Sequence, residues 1–217
     1  MTTSKSVRRW LFAVALVVLV AGCGDDSSEQ TTTQKTGPIP ASLRTVESAS
    51  EDIIDLALAG KRAEVVQKAK RLDAAAKGEQ IETLKTRAAR VAKLAPEAPL
   101  LDVALASNQV FSLVPGLFAQ YDTPVPAEVT RLDYLDFEAK LESRANDKTK
   151  LRSAVTQLAG TWDSLRADVP DARAARRFDA HVKAIEGLAD NANPEKTQRE
   201  AQHGLDLVDE LEESFAG

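Results

Sequence analysis

The chain has 217 residues, 33 acidic against 28 basic side chains and a formal net charge of −5. An acidic surface is repelled by nucleic-acid phosphates and by anionic headgroups, so a nucleic-acid partner and an electrostatic membrane surface are both disfavoured. The single cysteine excludes internal disulfides, and stability has to come from a packed core.

In chain order, Lys5, Arg8 and Arg9 precede an uncharged run from Trp10 to Ala21, the charge-then-apolar order of a secretory signal. The run is shorter than the ~20 apolar residues that cross a bilayer. It closes on Leu19-Val20-Ala21-Gly22-Cys23, which resembles the signal of bacterial lipoproteins. The resemblance covers roughly the first tenth of the chain. It implies a thioether-linked diacylglycerol on Cys23, cleavage between Gly22 and Cys23, and a mature chain held to a bacterial membrane by acyl chains, outside the cytoplasm. Ser6-Val7-Arg8-Arg9-Trp10-Leu11 also resembles a twin-arginine signal, but the serine is displaced and the apolar run is strongly hydrophobic, so general secretion is favoured. Gly24 follows the cysteine where Asp would favour inner-membrane retention in double-membrane bacteria; the resemblance leans weakly towards the outer membrane. Loss of Lys5, Arg8 and Arg9 leaves 33 acids against 25 bases, a charge of −8.

Residues 1–22 are thus read as signal peptide, 23–40 as a flexible polar tether and 41–217 as a helical bundle domain, with halves at 41–122 and 123–217. At ~5–6 Å × √n the tether spans roughly 20–25 Å. From Ala41 the chain is rich in Ala, Leu, Glu, Lys and Arg, which predicts an all-α fold of about seven or eight antiparallel helices. Leu43, Val46, Ile53 and Ala57 mark the first helix, with Ser48 and Glu51 as a capping box and Gly60 as its stop. Val65, Ala69, Leu72 and Ala76 mark the second, and Ile81 to Leu94 the third. Ala98 to Tyr121 carries one charge, Asp102, and is apolar on two sides, which predicts the central helix of the fold. The helix Ala127–Ala145 switches faces midway and is expected to be sandwiched too. Leu151, Val155, Leu158, Trp162 and Leu165 keep a 4-3-4-3 seam. Phe178, His181, Ile185 and Leu188 share a stripe on the next helix, and Asn193-Pro194 caps a last one carrying Ala201, Leu205, Val208, Leu211 and Phe215. An offset of 86 residues lays Val65, Ala69, Leu72 and Ala76 onto Leu151, Val155, Leu158 and Trp162, a suggestion of duplication that must slide for later helices.

No nucleophile, phosphate-loop or haem motif is present, so no catalytic residue is assigned and no cofactor is expected. Glu200-Ala201-Gln202-His203 is the one Glu-x-x-His motif, and Phe178 stands where a second would need Glu before His181. His181, His203 and Glu200 are therefore a weak metal alternative: the histidines lie at similar height in a hairpin, but His203 points away from the apolar stripe. Phe111, Phe118, Tyr121, Tyr134 and Phe137 gather around the central turn with Asp122, Asp133, Asp136 and Glu138, either as a pocket or as the thickest part of the core. The function these features point to is non-enzymatic: a lipid-anchored binding or scaffold module for another envelope protein, with a ligand- or metal-binding accessory for uptake or sensing as the alternative.

Overall fold

The structure is a computed structural model and describes residues 37–191 and 193–217. The lipoprotein-like signal, Cys23 and most of the tether lie outside the described residues. The rest is an all-α bundle, without a β-strand among the described residues. Eight helices of twelve or more residues are α1 (Ala41–Leu58), α2 (Arg62–Lys77), α3 (Glu82–Leu94), α4 (Leu100–Phe111), α6 (Ala127–Ala145), α7 (Lys148–Leu165), α8 (Ala172–Asn191) and α9 (Pro194–Ala216); α5 (Val114–Phe118) is a short turn between them.

The helices form two four-helix bundles in tandem. In the first, α1 packs on α2, α2 on α3, α3 on α4 and α4 back on α1; in the second, α6 to α9 repeat the same circuit. The 86-residue offset holds for both opening hairpins. Pro40 and Pro126 precede α1 and α6, and the hairpin connections pass through Gly60 (φ 79°) and Asn146 (φ 59°), two residue types that tolerate the left-handed region. Leu43, Val46, Ala49 and Ser50 correspond to Val129, Leu132, Leu135 and Asp136, all buried. A longer α7–α8 connection slides the register to 94, laying Leu84, Ala88, Val91 and Ala95 on Phe178, Val182, Ile185 and Ala189. The last pair slides to 97, laying Ala104, Ser107, Val110 and Phe111 on Ala201, Gly204, Leu207 and Val208. A helix aligned with another by heptads alone would match at many offsets; matching turn residues and burial together is more specific.

Three expectations are corrected. The apolar stretch 98–121 is no single central helix: it breaks after Phe111, where Pro115 cannot continue the ladder, and α6 takes the central place, touching α4, α5, α7 and α9. Leu100–Phe118 is long and apolar enough to cross a membrane by length and composition, yet half of its most apolar window is buried inside the body. Inside it, Ser107 Oγ donates to the Ser50 carbonyl (2.9 Å) on α1 and the Asn108 amide donates to Glu138 on α6, while Asn108 Oδ1 has no hydrogen-bond partner among the described residues. Ser48 and Glu51 form no capping box; both lie inside a continuous α1 whose N-terminus is set by Pro40. The body also begins earlier than 41, since Ile39 is buried in the first core.

Each bundle has its own hydrophobic core. The first runs from Ile39 to Phe118 and borrows Phe137, Leu141 and Leu205 from the second half, which is how the two bundles are joined. The second centres on Leu132, Leu135, Leu158, Trp162, Phe178 and Ile185. Side-chain caps hold the second bundle's turns: Asp147 accepts from Lys150 N, and Asn193 accepts from Lys196 N with Pro194 just inside α9.

Candidate functional site

Where α1, α6 and α9 meet the segment between α5 and α6, a pocket of about 240 Å³ opens to solvent. Its polar wall is Glu47 and Glu51 from α1, Asp133 from α6, and Asp209 and Glu212 from α9, with Arg44 the one basic side chain lining it. Its apolar wall is Ile39, Phe118, Pro124 and Val125. Glu47 and Glu51 share a face of α1 because they are four residues apart, and the packing of both α1 and α6 on α4 and α5 brings that face towards Asp133. None of the five carboxylates forms an ion pair among the described residues, whereas the neighbouring Asp52 is bridged to Lys68.

Crowding like charges in a half-buried site raises their proton affinity. Burial, with Glu51 and Glu212 adding to it, pushes the Glu47 carboxyl up to about 8. Burial and Glu212 push Glu51 up to about 7. Asp133 is raised well above the usual carboxylate range by burial and then by Glu51. Burial and Asp209 raise Glu212, with Arg44 opposing. With both carboxyls raised by burial and by each other's neighbours, the Glu51 and Asp133 pair favours holding a proton over full ionisation.

A second polar cluster is sealed within the second bundle. His181 on α8 has both ring nitrogens engaged, Nε2 with Asp136 Oδ1 on α6 and Nδ1 with Glu200 Oε1 on α9, each at 3.0 Å. The side chains of His181 and Asp136 are 0% exposed and that of Glu200 22%. Burial alone would lower the His181 pKa, but the two carboxylates outweigh it and hold the imidazole above its ordinary value. Asp136 is raised by burial against the pull of His181. The second oxygen of Asp136 has no hydrogen-bond partner among the described residues. Gly204 makes the arrangement sterically feasible, because a Cβ there would sit 2.4 Å from both Asp136 Oδ2 and His181 Nε2.

Compared with known family models, with curated proteins and with solved structures, the chain shows no significant match. The two sites are therefore read from their own geometry.

The anticipated site residues separate. His181 and His203 do come together, their rings perpendicular with centroids 6.3 Å apart, but His203 is exposed. Among the described residues no group of three or more His, Cys, Asp or Glu side chains is arranged to hold a metal ion. Of the five aromatics, Phe118 lines the pocket. Phe111 is fully buried and packs edge-on against Tyr134 and Phe137, so these three belong to the junction of the bundles; Tyr121 packs partly buried against the first core. The pocket's carboxylates are not anticipated as a group in the sequence: Asp133 stands beside the aromatics and Glu51 in the expected capping box, while Glu47, Asp209 and Glu212 draw no assignment. The available signal was a run of helical positions carrying acids without a basic residue four places on, in α1 and again in α9.

Proposed function

We propose that the chain is a lipid-anchored, extracytoplasmic binding module of the bacterial cell envelope that acts by holding a partner rather than by catalysis. The observation that carries this reading is Leu19-Val20-Ala21-Gly22-Cys23, which ends a signal-like run and is followed by a polar tether and a helical body. The acidic body offers no second means of holding an anionic membrane, so acyl chains on Cys23 supply the attachment, with general secretion as the route and the outer membrane weakly favoured. The partner on the scaffold reading is another envelope protein. The pocket between α1, α6 and α9 favours the accessory reading, in which the module takes up a small ligand for transport or sensing.

Replacement of Cys23 by Ala tests the anchor. The parent chain is expected to fractionate with membranes and to carry acyl mass on its N-terminal cysteine, and C23A to appear in the soluble extracytoplasmic fraction. A parent without acyl groups, or a C23A chain that stays in the membrane, overturns the assignment.

A further inference from the structure

Among the described residues, the pocket's five carboxylates have no cation of the chain's own lining the site beyond Arg44. We propose that this pocket binds a free aliphatic amine carrying two or more positive charges. The proposal rests on the binding-module reading of the body and is independent of how the body is anchored.

Four observations select that chemistry. With Glu47, Glu51, Asp133, Asp209 and Glu212 against Arg44, the lining has a formal charge of −4 when ionised, and one ammonium leaves most of it unbalanced. Thr130, 5% exposed, lines the same pocket with a hydroxyl that has no hydrogen-bond partner among the described residues, and an N–H donor supplies one. Ile39, Phe118, Pro124 and Val125 offer apolar contact to a hydrocarbon chain. The volume of about 240 Å³ is room for several water-sized groups at ~30 Å³ each, far more than a bare metal ion fills. The absence of a metal-holding triad among the described residues points the same way.

An ammonium group lodged beside Glu51 and Asp133 displaces a proton held by these raised carboxyls, and that proton leaves to solvent. The groups around Glu51 are Arg44, Glu47 and Asp52 on α1, Asp133 on α6, and Asp209 and Glu212 on α9, with Asp136 acting on Asp133. Because the acids bind protons up to about 7 for Glu51 and about 8 for Glu47, amine and proton compete over the same range.

The test is calorimetric titration of the full chain, purified in a non-ionic detergent at constant ionic strength, with 1,4-diaminobutane and spermidine, and with 1,4-butanediol, calcium and trilysine as comparisons. Saturable binding of the amines is expected, tightening about tenfold from pH 6 to pH 8 with proton release at pH 7, and no binding of the diol. Glu51→Gln is expected to weaken the amine at least tenfold and Thr130→Val several-fold, with both variants keeping the parent's helical circular dichroism. No amine binding, a pH-independent affinity, or Glu51→Gln binding as the parent does overturns the proposal. Calcium displacing the amine at equal concentration overturns it in favour of a metal site. Trilysine binding more tightly than spermidine overturns it in favour of a protein partner. Membrane release by C23A with amine binding intact would leave both readings standing; loss of one leaves the other.

Discussion

The two bundles share a circuit and differ most where their first and last helices cross. In the first, Ser50 on α1 meets Ser107 on α4, and one hydroxyl-to-carbonyl hydrogen bond of 2.9 Å satisfies a crossing otherwise lined by Val, Ala and Leu. At the corresponding places in the second stand Asp136 and Gly204. The space left by the glycine admits a buried carboxylate and an imidazole reaching in from α8. His181's counterpart in α3 is Arg87, at the 94-residue offset, which turns outward to the end of α4 and donates to Ser112 Oγ at 3.0 Å. One scaffold thus carries either a neutral, small-residue crossing or an internal charge cluster, decided by four positions, the fourth being Glu200 where α4 has the buried Val103. Buried charge is costly unless every partner is kept.

The largest expected effect follows from removing such a partner. His181→Ala leaves two carboxylates facing an emptied site and is expected to cost about 3–5 kcal/mol in chemical denaturation of the 24–217 fragment. Gly204→Ala, driving a methyl into the Asp136 and His181 pair, should cost about 2–4 kcal/mol. Ser107→Ala, the matched change in the first bundle, removes one neutral hydrogen bond and should cost about 1 kcal/mol. Equal losses at positions 107 and 204 would mean that the two crossings are energetically alike.

The pH dependence of melting separates the clusters from ordinary surface acids. Glu47 and Glu51, raised from 4.5 to about 8 and about 7, hold protons in the folded state that the unfolded chain has released. Their contribution to stability is full below about pH 4.5 and is lost as pH rises through the folded values. His181 acts with the same sign, its contribution complete below its ordinary value of 6.5 and lost as pH rises above it. Asp179, lowered by Arg166, contributes oppositely only as pH falls below the ordinary carboxylate value of 3.8. Melting temperature is therefore expected to fall by several degrees from pH 5 to pH 9. A Glu47→Gln, Glu51→Gln double variant should flatten that slope, and a melting temperature that rises with pH would contradict the assignment of these groups. The smallest effect is expected at the surface: Arg177→Ala, which breaks the exposed pair with Glu210, should change stability by less than about 1 kcal/mol.

Much of the architecture was legible in the sequence. Helical spacing placed the helices, Pro and Asn-Pro marked several starts, and the 86-residue offset on α2 and α7 extends to the whole opening hairpin. These features are short-ranged, set by a 3.6-residue period and by caps whose partners lie three residues away. The lipoprotein-like run is likewise contiguous, and it stands as a proposal for the C23A experiment to test. The breaking of 98–121 into α4 and α5 was half visible in Pro115, but its cost against the gain of a continuous apolar helix depends on what packs around it.

The acidic pocket and the His181 cluster depended on tertiary structure. Glu51, Asp133 and Glu212 lie on three helices, and nothing local to any of them says that α1, α6 and α9 turn them towards one pocket. Gly204 in sequence is a weak point in a helix; only against Asp136 and His181 does its missing side chain acquire a purpose. A helix's periodicity tells which face is apolar, whereas the height and rotation at which two helices meet follow from the fit of all their side chains at once, and that fit chose which acids share a pocket.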